Sequence, residues 1–272
     1  MSLAQTVAAA LNEGAFGGLE EAYLHRARRE DSLGAIVGRD AVIADELRLA
    51  TLAETVTAKV EAFTPSVLRV TFTAGERTLR QHRWIEHEGD RILRETIIAD
   101  STALVDNLEI AAASHGMASP VQPPLGELRS GRGQLDAGAK SWFEGEPQAL
   151  LDGLHRVWNG RRFNEIANLY LADAEWSGPD RLAGGPDEAR HWAMQLVTRL
   201  PDATLLFDRV ERDGERVAIL WRLFGHDGGV RARLFGSSLL TLDGERISCD
   251  DTLLDTLALE ATRFRPLRTI IR

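Results

Sequence analysis

Eight segments of the chain have the apolar, β-branched composition of β-strands, and most of their separators carry the Gly or Pro of a hairpin turn. The segments fall into two groups of four. The first group covers residues 56–63, 67–73, 77–86 and 91–98, and the second covers residues 203–212, 216–226, 230–242 and 246–252. Each group predicts an antiparallel meander.

Helical periodicity precedes each group of strands. The predicted helices cover residues 2–11, 19–25 and 39–55 in the first half, and 147–158, 164–171 and 186–200 in the second, where residues 174–176 form a short strand. We expect further helices at 101–113 and 253–262 to close the two halves. Residues 115–138 between the halves contain three prolines and five glycines but no aromatic residue, which predicts an interdomain linker.

Two hairpins, at residues 78–92 and 233–247, share one pattern of strand, acidic-Gly turn and second strand. In both, an aspartate follows eight residues after the last Ile, at Asp100 and Asp255. A repeat of this kind predicts two copies of one small domain. The offset between the copies rises from 147 to 155 residues, a difference that we expect to lie in loops. Chance similarity between generic hairpins is the alternative.

Helices followed by an antiparallel meander predict a curved sheet wrapped around helices, with an apolar interior open at one end. The predicted fold class is therefore α+β, with two cone-shaped domains whose N-terminal helices pack on a curved, mostly antiparallel sheet. The expected domains are residues 1–113 and 141–264, joined by a linker at 114–140. A tandem of this kind predicts that the two domains pair within the chain, and a homodimer is the other assembly to consider.

Composition narrows the functions that such domains would have. The 272 residues carry a net charge of −9 without a basic run, which argues against a nucleic-acid partner. The single cysteine, Cys249, excludes an intrachain disulfide and a cysteine-based metal cluster. No apolar run approaches the length of about 20 residues that a membrane span needs, and the N-terminus has no signal-peptide pattern. We therefore expect a cytoplasmic protein without a metal or other cofactor, and an apolar small molecule as its partner.

The last predicted strand contains two candidate carboxylates. With strict alternation, Ile247, Cys249 and Asp251 share one face, so Asp251 is expected to point inward. Burial raises the pKa of a carboxyl group, which suits proton transfer. In the alternative, the strand ends near Cys249, and Asp250 and Asp251 cap the following helix.

Two basic residues on the strand at 216–226 are candidates to assist Asp251. Arg222 and His226 lie on one face of this strand, and either would stabilise charge on a substrate. For Arg222 the alternative is a structural ion pair, and for His226 it is an exposed turn position.

Aromatic residues are concentrated in the second half, which has five of the six tryptophans. Trp192 lies on the apolar stripe of its predicted helix, while Trp176 and Trp221 lie on strands. We expect these three to line an apolar ligand pocket, although core packing would explain any single one. In the first half, His82 and Trp84 share one strand face and form a second candidate site, with a partly exposed sheet face as the alternative.

Three segments of the second half resemble SnoaL-like polyketide-cyclase domains of the nuclear transport factor 2-like superfamily. The first runs from a helix through Asn159 and Gly160 to Tyr170 and Trp176. The others are the helix start at residues 184–189 and the hairpin at 235–255 with its trailing aspartate. The resemblance covers about residues 143–262 and extends more weakly to about 7–113.

The resemblance implies a cone-shaped α+β fold and a pocket where an inward carboxylate, helped by a His on an adjacent strand, performs acid/base chemistry. Asp251 is the nearest match to this carboxylate, and Ser237 stands in the place of the His. We expect Phe235, on the same strand as Ser237, to contact substrate with it. In the first half His82 takes the histidine place and Thr96 replaces the acid.

Two functions stay open at this point. One is acid/base catalysis of the isomerase, cyclase or hydrolase type on an apolar substrate. The other is a non-catalytic ligand-binding or protein-interaction module in which the two domains form an intrachain pseudo-dimer.

Overall fold

The computed structural model describes residues 2–13, 18–31, 35–51, 57–74, 76–100, 147–179 and 182–255. The chain divides into two compact units, residues 1–139 and 140–272. The predicted linker at 114–140 and the predicted helix at 101–113 lie outside the described residues, as does most of the helix predicted at 253–262. The domain boundaries expected from the sequence therefore stay predictions.

The first domain packs helices against a six-stranded sheet with the strand order β2-β1-β6-β5-β4-β3. Strands β1 and β6 run parallel, and the other neighbouring strands run antiparallel. The elements are α1 (Leu3–Glu13), α2 (Leu19–Ala22), β1 (Tyr23–Glu30), β2 (Ala35–Val37), α3 (Arg39–Thr51), β3 (Thr57–Thr64), β4 (Val67–Ala74), β5 (Arg77–Glu88) and β6 (Arg91–Ala99).

The second domain has the same strand order in its own sheet, β8-β7-β12-β11-β10-β9, with β7 and β12 parallel. Its elements are α4 (Gln148–Trp158), a 3₁₀ turn (Phe163–Glu165), α5 (Ile166–Leu169), β7 (Tyr170–Ser177), β8 (Ala183–Gly184), α6 (Pro186–Arg199), β9 (Thr204–Asp213), β10 (Arg216–Asp227), β11 (Val230–Asp243) and β12 (Arg246–Leu254). Two mixed sheets of one topology confirm the predicted two-domain α+β class and support the tandem arrangement.

Equivalent side chains make the same contacts in the two domains. The Asn12 amide, at the end of α1, exchanges two hydrogen bonds of 2.7 and 2.9 Å with the main chain of Val60. Asn159 lies 147 positions later, and its amide exchanges two hydrogen bonds of 3.0 and 2.7 Å with the main chain of Leu205. Each asparagine therefore ties the end of the first helix to the edge strand of its own sheet.

The structure differs from the sequence expectation at the first strand of each domain. The helix expected at 19–25 ends at Ala22, and β1 begins at Tyr23; the helix expected at 164–171 likewise gives way to β7 at Tyr170. Both strands pair in parallel with the last strand of their sheet. A pairing with a distant strand leaves no local periodicity from which it could be recognised.

The extra residues of the second copy, which raise the offset between the copies, also lie elsewhere than expected. Strands β3, β4 and β5 have 8, 8 and 12 residues, whereas their counterparts β9, β10 and β11 have 10, 12 and 14. The additional residues of the second domain therefore lengthen its strands and not its loops. Its sheet is therefore the larger of the two.

A group of charged side chains is buried in the interior of the first domain. We call this group the ionic cluster; it consists of Tyr23, Arg29, Asp45, Glu46, Arg83 and Glu95, all almost fully buried. The Arg29 guanidinium donates to Glu95 at 2.7 Å and to Asp45 at 3.0 Å, and it also contacts Glu46. Arg29 thereby joins β1 to both β6 and α3.

A second arginine and a tyrosine complete the ionic cluster. Arg83 on β5 donates to Glu46 at 2.5 Å, and the Tyr23 hydroxyl donates to Glu95 at 2.9 Å. Buried charges are tolerated only when paired and hydrogen-bonded, since their desolvation is expensive. The first domain therefore depends on the complete cluster for a stable interior.

We expect the first domain to lose stability in acid because of Glu46. Burial alone would raise the pKa of Glu46, but the guanidinium groups of Arg29 and Arg83 lower it below its ordinary value. The resulting stabilisation is present above about pH 4.3, the pKa of an unfolded glutamate, and is lost as pH falls through the lower folded-state pKa.

Urea unfolding of the wild type and of Glu46→Gln between about pH 7 and about pH 3 measures this contribution. The variant should be less stable at neutral pH and should lose less stability on acidification. Glu88→Gln is the matched control, because Glu88 pairs with Arg26 while more than half of each side chain is exposed. Equal pH dependence in all three proteins would contradict the assignment.

Candidate functional site

The second domain encloses a cavity between its helices and the inner face of its sheet, meaning the face that packs against α4, α5 and α6. The cavity offers about 50 Å³ to the centres of water-sized molecules, enough for roughly three or four waters. Its aliphatic lining consists of Leu154, Val157, Ile166, Leu169, Ala189, Ala193, Leu205, Ile219 and Leu240. It is a small site with mostly apolar walls.

Aromatic rings form one side of this cavity. The six that line it are Trp158, Tyr170, Trp176, Trp192, Phe207 and Trp221. The ring of Trp192 lies 5.8 Å from those of both Trp158 and Trp176, centroid to centroid. Trp176 is buried, whereas Trp158 and Trp192 are half-buried. The half-buried pair therefore marks the solvent side of the cavity.

Two glycines leave room for the indole rings. Gly236 faces Trp221 across β10 and β11, and a Cβ atom at Gly236 would stand 2.2 Å from the Trp221 ring. A Cβ atom at Gly178 would stand equally close to the Trp176 ring. Both distances are far below a van der Waals contact, so any larger residue would displace the indole that shapes the cavity.

A chain of hydrogen bonds crosses the polar end of the cavity. Trp221 Nε1 donates to Ser238 Oγ at 3.0 Å, and Ser238 Oγ lies 2.7 Å from Thr252 Oγ1. Thr252 donates to Asp250 Oδ1 at 2.6 Å, and the Tyr170 hydroxyl donates to Asp250 Oδ2 at 2.5 Å. Because the Thr252 proton is used toward Asp250, Ser238 must donate to Thr252. All these donors point toward the Asp250 carboxylate.

Tyr170 retains its proton at neutral pH. Burial, and then the negative charge of Asp250 and the hydrogen bond to it, raise the pKa of Tyr170 well above its ordinary value. The hydroxyl is therefore a permanent donor to Asp250 and not a second base.

The inward carboxylate is Asp250, not Asp251 as expected. The pairing of β11 with β12 shifts register between Thr241 and Leu242, which leaves Ser248 as an extra residue in β12. A bulge of this kind interrupts the alternation of faces. Ile247 and Asp250 therefore both face the interior, while Asp251 is buried but does not line the cavity. The strand continues to Leu254, so neither aspartate caps a helix.

The structure does not bring Arg222 or His226 to the cavity. Arg222 lies on the outer face of the sheet, where it forms an ion pair with Asp208. His226 is half-exposed near the end of β10, with Nδ1 2.6 Å from Asp202 Oδ2. This hydrogen bond lowers the pKa of Asp202. Both positions fit the structural alternatives that the sequence left open.

The expected substrate-binding residues divide between the two sheet faces. Trp176, Trp192 and Trp221 line the cavity as expected. Phe235 and Ser237 alternate with Gly236 on β11 and so lie on the outer face, where the ring of Phe235 contacts the guanidinium of Arg233.

His82 and Trp84 do not lie on the sheet face that carries the ionic cluster of the first domain. Both are fully buried, but they alternate along β5 with Arg83, which belongs to the ionic cluster. They therefore lie on the opposite face of that sheet, away from Glu95.

Five polar or aromatic lining residues were not among the sequence candidates: Tyr170, Ser238, Thr252, Trp158 and Phe207. Tyr170 opens the Tyr170-to-Trp176 motif and begins a strand, which was the available signal for it. Ser238 and Thr252 are ordinary strand residues until the register brings them opposite each other. In the described ranges, no three His, Cys, Asp or Glu side chains are placed to hold a metal ion.

Residues 151–249, which form most of the cavity, match the family model of the SnoaL-like domain. The second half of the chain contains a SnoaL-like domain. This confirms the resemblance found in the sequence for that half. No curated protein matches the chain in sequence. Within the described residues, no helix is both long enough and apolar enough to span a membrane.

Several solved structures are similar to parts of the chain. IdmH from Streptomyces antibioticus is 16% identical, with a TM-score of 0.39, over 43% of this chain and 97% of its own. A SnoaL-like polyketide cyclase from Jannaschia is 15% identical, with a TM-score of 0.37, over 42% of this chain and 90% of its own. A protein of ketosteroid isomerase-like fold from Catenulispora acidiphila, solved with trimethylamine, is 20% identical, with a TM-score of 0.35, over 38% and 82%.

Proposed function

We propose that the SnoaL-like second domain binds a small molecule in its cavity and that Asp250 performs acid/base chemistry on it. The observation that carries the proposal is the convergence of the hydrogen-bond chain on one carboxylate at the end of a cavity with otherwise apolar and aromatic walls. An apolar site with a few convergent polar groups is the usual form of a ligand pocket.

Each polar group has a separate part in the proposed chemistry. Asp250 accepts a proton from the ligand or returns one to it. Tyr170 and Thr252 donate hydrogen bonds to the two carboxylate oxygens and so fix the orientation of the group. The apolar walls exclude water, which strengthens the interaction between a developing charge and these groups.

Asp250→Asn and Asp251→Asn form a matched pair of variants for this proposal. The two residues are adjacent, equally buried and on opposite sheet faces. In a thermal-shift screen against apolar small molecules, a ligand at a hundredfold excess over its Kd adds about 2.7 kcal/mol to stability. We expect ligands whose shift changes in Asp250→Asn but not in Asp251→Asn.

Turnover of any ligand identified as a substrate extends the test. Loss of a general acid or base costs about 10²–10⁴-fold in rate, and we expect this loss for Asp250→Asn only. Ligands whose binding and turnover respond equally to both variants, or only to Asp251→Asn, would contradict the proposal. A screen in which no ligand depends on any cavity residue would overturn it.

A second candidate function is a non-catalytic module in which the two domains pair within the chain. The observation that favours it is burial on the sheet faces that lie away from the helices: Trp84 in the first sheet and Leu239 and Leu253 in the second are almost fully buried there. Apolar strand residues are buried in this way when a sheet face is covered.

Hydrogen exchange of the full chain tests intrachain pairing. If the domains pair through these faces, Leu253→Arg should speed exchange in β4 and β5 of the first domain as well as in β12. Ile247→Ala, on the inner face, is the control and should affect the second domain alone. Exchange confined to the second domain in both variants would exclude pairing through this face, and sedimentation would show whether two chains associate instead.

A further inference from the structure

The two domains keep a carboxylate at one point of the sheet but surround it differently. Glu95 on β6 lies opposite Arg29 on β1, and Asp250 on β12 lies opposite Trp176 on β7. A tyrosine at the start of the parallel strand donates to the carboxylate in both cases. Register therefore equates Glu95 with Asp250 and Arg29 with Trp176.

The remaining charges of the ionic cluster are also replaced in the second domain. By the same offsets of 155 and 147 positions, the counterparts of Arg83, Asp45 and Glu46 are Ser238, Trp192 and Ala193. All three counterparts line the second-domain cavity. The second domain thus has a cavity where the first domain has its ionic cluster, and of that cluster it keeps only the tyrosine, as Tyr170, and the acid of the last strand, as Asp250.

In the first domain a cationic side chain, that of Arg29, lies opposite the carboxylate. Arg29 Nε lies 2.7 Å from Glu95 Oε2, so the guanidinium neutralises the carboxylate directly. In the second domain two neutral hydroxyls, those of Tyr170 and Thr252, donate to Asp250. The described residues that line the cavity include one carboxylate and no Lys, Arg or His side chain. The acidic side chain of the described cavity lining is therefore not matched by a basic one in the same lining.

The aromatic walls favour the same kind of ligand as the carboxylate. The face of an indole carries negative electrostatic potential and attracts cations, most strongly where water is excluded. Trp176, in the position of Arg29, pairs with Asp250 across β7 and β12. Trp192, in the position of Asp45, lines the same cavity, and its ring lies 5.8 Å from that of Trp176. Aromatic faces combined with a carboxylate recognise ammonium groups better than neutral groups of the same shape.

We propose that the second-domain cavity binds an organic cation, a protonated amine or a quaternary ammonium group, between the Asp250 carboxylate and the indoles of Trp176 and Trp192. The proposal rests on the proposed function, since it names the ligand class of the same site. The cation replaces the guanidinium that the first domain supplies from its own chain.

The size of the cavity limits the ligand to a compact cationic head. About 50 Å³ for the centres of water-sized molecules admits a group of a few heavy atoms. Trp158 and Trp192 are half-buried at the solvent side, so a longer ligand would leave the cavity past this pair of rings. A small alkylammonium ion is therefore the right probe.

Calorimetric titration of the full-length protein with tetramethylammonium chloride and with neopentyl alcohol, a neutral compound of similar shape, tests the inference. We expect the cation to bind at least about tenfold more tightly than the alcohol. Asp250→Asn should remove this preference and Asp251→Asn should retain it, with folding of both variants checked by circular dichroism. The comparison of the two probes on the wild type does not depend on either variant being folded.

Equal or tighter binding of the alcohol would overturn the inference and leave the proposed function intact, because a neutral ligand would then occupy the cavity. A preference for the cation that survives in Asp250→Asn would also overturn it, since the cation would then bind elsewhere. If neither probe binds, the inference fails, and the screen with apolar molecules decides the proposed function separately.

Discussion

Substituting Arg29 with methionine should lower the free energy of unfolding of the first domain by about 3–5 kcal/mol. Methionine preserves most of the buried volume but removes the charge. Arg29 contacts three carboxylates, Glu95, Asp45 and Glu46, with both partners of each pair almost fully buried. Without Arg29, Arg83 is the remaining cation of the ionic cluster, and these carboxylates would stay desolvated without adequate compensation.

Hydrogen exchange of the full chain, resolved by peptide, measures this loss where it occurs. Exchange should accelerate in β1, β6 and α3, the elements that Arg29 joins. Arg26→Met is the matched control on the same strand, because the Arg26–Glu88 pair is mostly exposed and such pairs contribute at most about 1 kcal/mol. Similar losses in the two variants would show that the ionic cluster does not stabilise the domain.

Much of each fold could be predicted from local patterns. The hairpins of both sheets follow from alternating strands and Gly-containing turns, and the helix at Pro186–Arg199 follows from its apolar stripe. The strands beginning at Tyr23 and Tyr170 could not be predicted in the same way. Each pairs in parallel with a strand about 70 or more residues away, so the stability of that pairing comes from tertiary contacts and not from local propensity.

The candidate carboxylate was predicted at Asp251, one residue from the Asp250 that lines the cavity, and a single bulge accounts for that difference. Strict alternation from Ile247 places Asp251 inward, but the extra residue Ser248 exchanges the faces of everything after it. Nothing in the local sequence distinguishes a bulged strand from a regular one here. The inward set is therefore Asp250 and Thr252, and Tyr170 reaches them from the parallel strand.

The interior of the first domain could not be inferred from sequence. Arg29, Glu46, Arg83 and Glu95 are spread over 67 positions and have the appearance of surface residues in an amphipathic pattern. Only the packed sheet and helix show that they meet in the core. The repeat predicted two similar folds correctly, but not that one copy would have a charged interior and the other a cavity.

Trp176→Ala should lower the stability of the second domain by about 3–5 kcal/mol, the usual cost of deleting a buried tryptophan. Trp176 is 3% exposed and packs against Trp192 at one edge of the cavity. The deletion leaves a void continuous with the cavity, because the neighbouring indole and strands are held by their own contacts. Urea unfolding followed by hydrogen exchange in β7 and β12 measures the loss.

Trp192→Ala is the informative comparison for Trp176→Ala. Trp192 is half-buried on α6, so its deletion removes less buried surface and should cost clearly less stability. If the indoles serve a ligand, Trp192→Ala should weaken binding of the probe that the wild type prefers while the fold persists. If they serve only as core, binding should be unchanged in Trp192→Ala and the two variants should differ in stability alone. Equal losses of stability in Trp176→Ala and Trp192→Ala would contradict this prediction, because it assumes that Trp176 is the more deeply buried of the two.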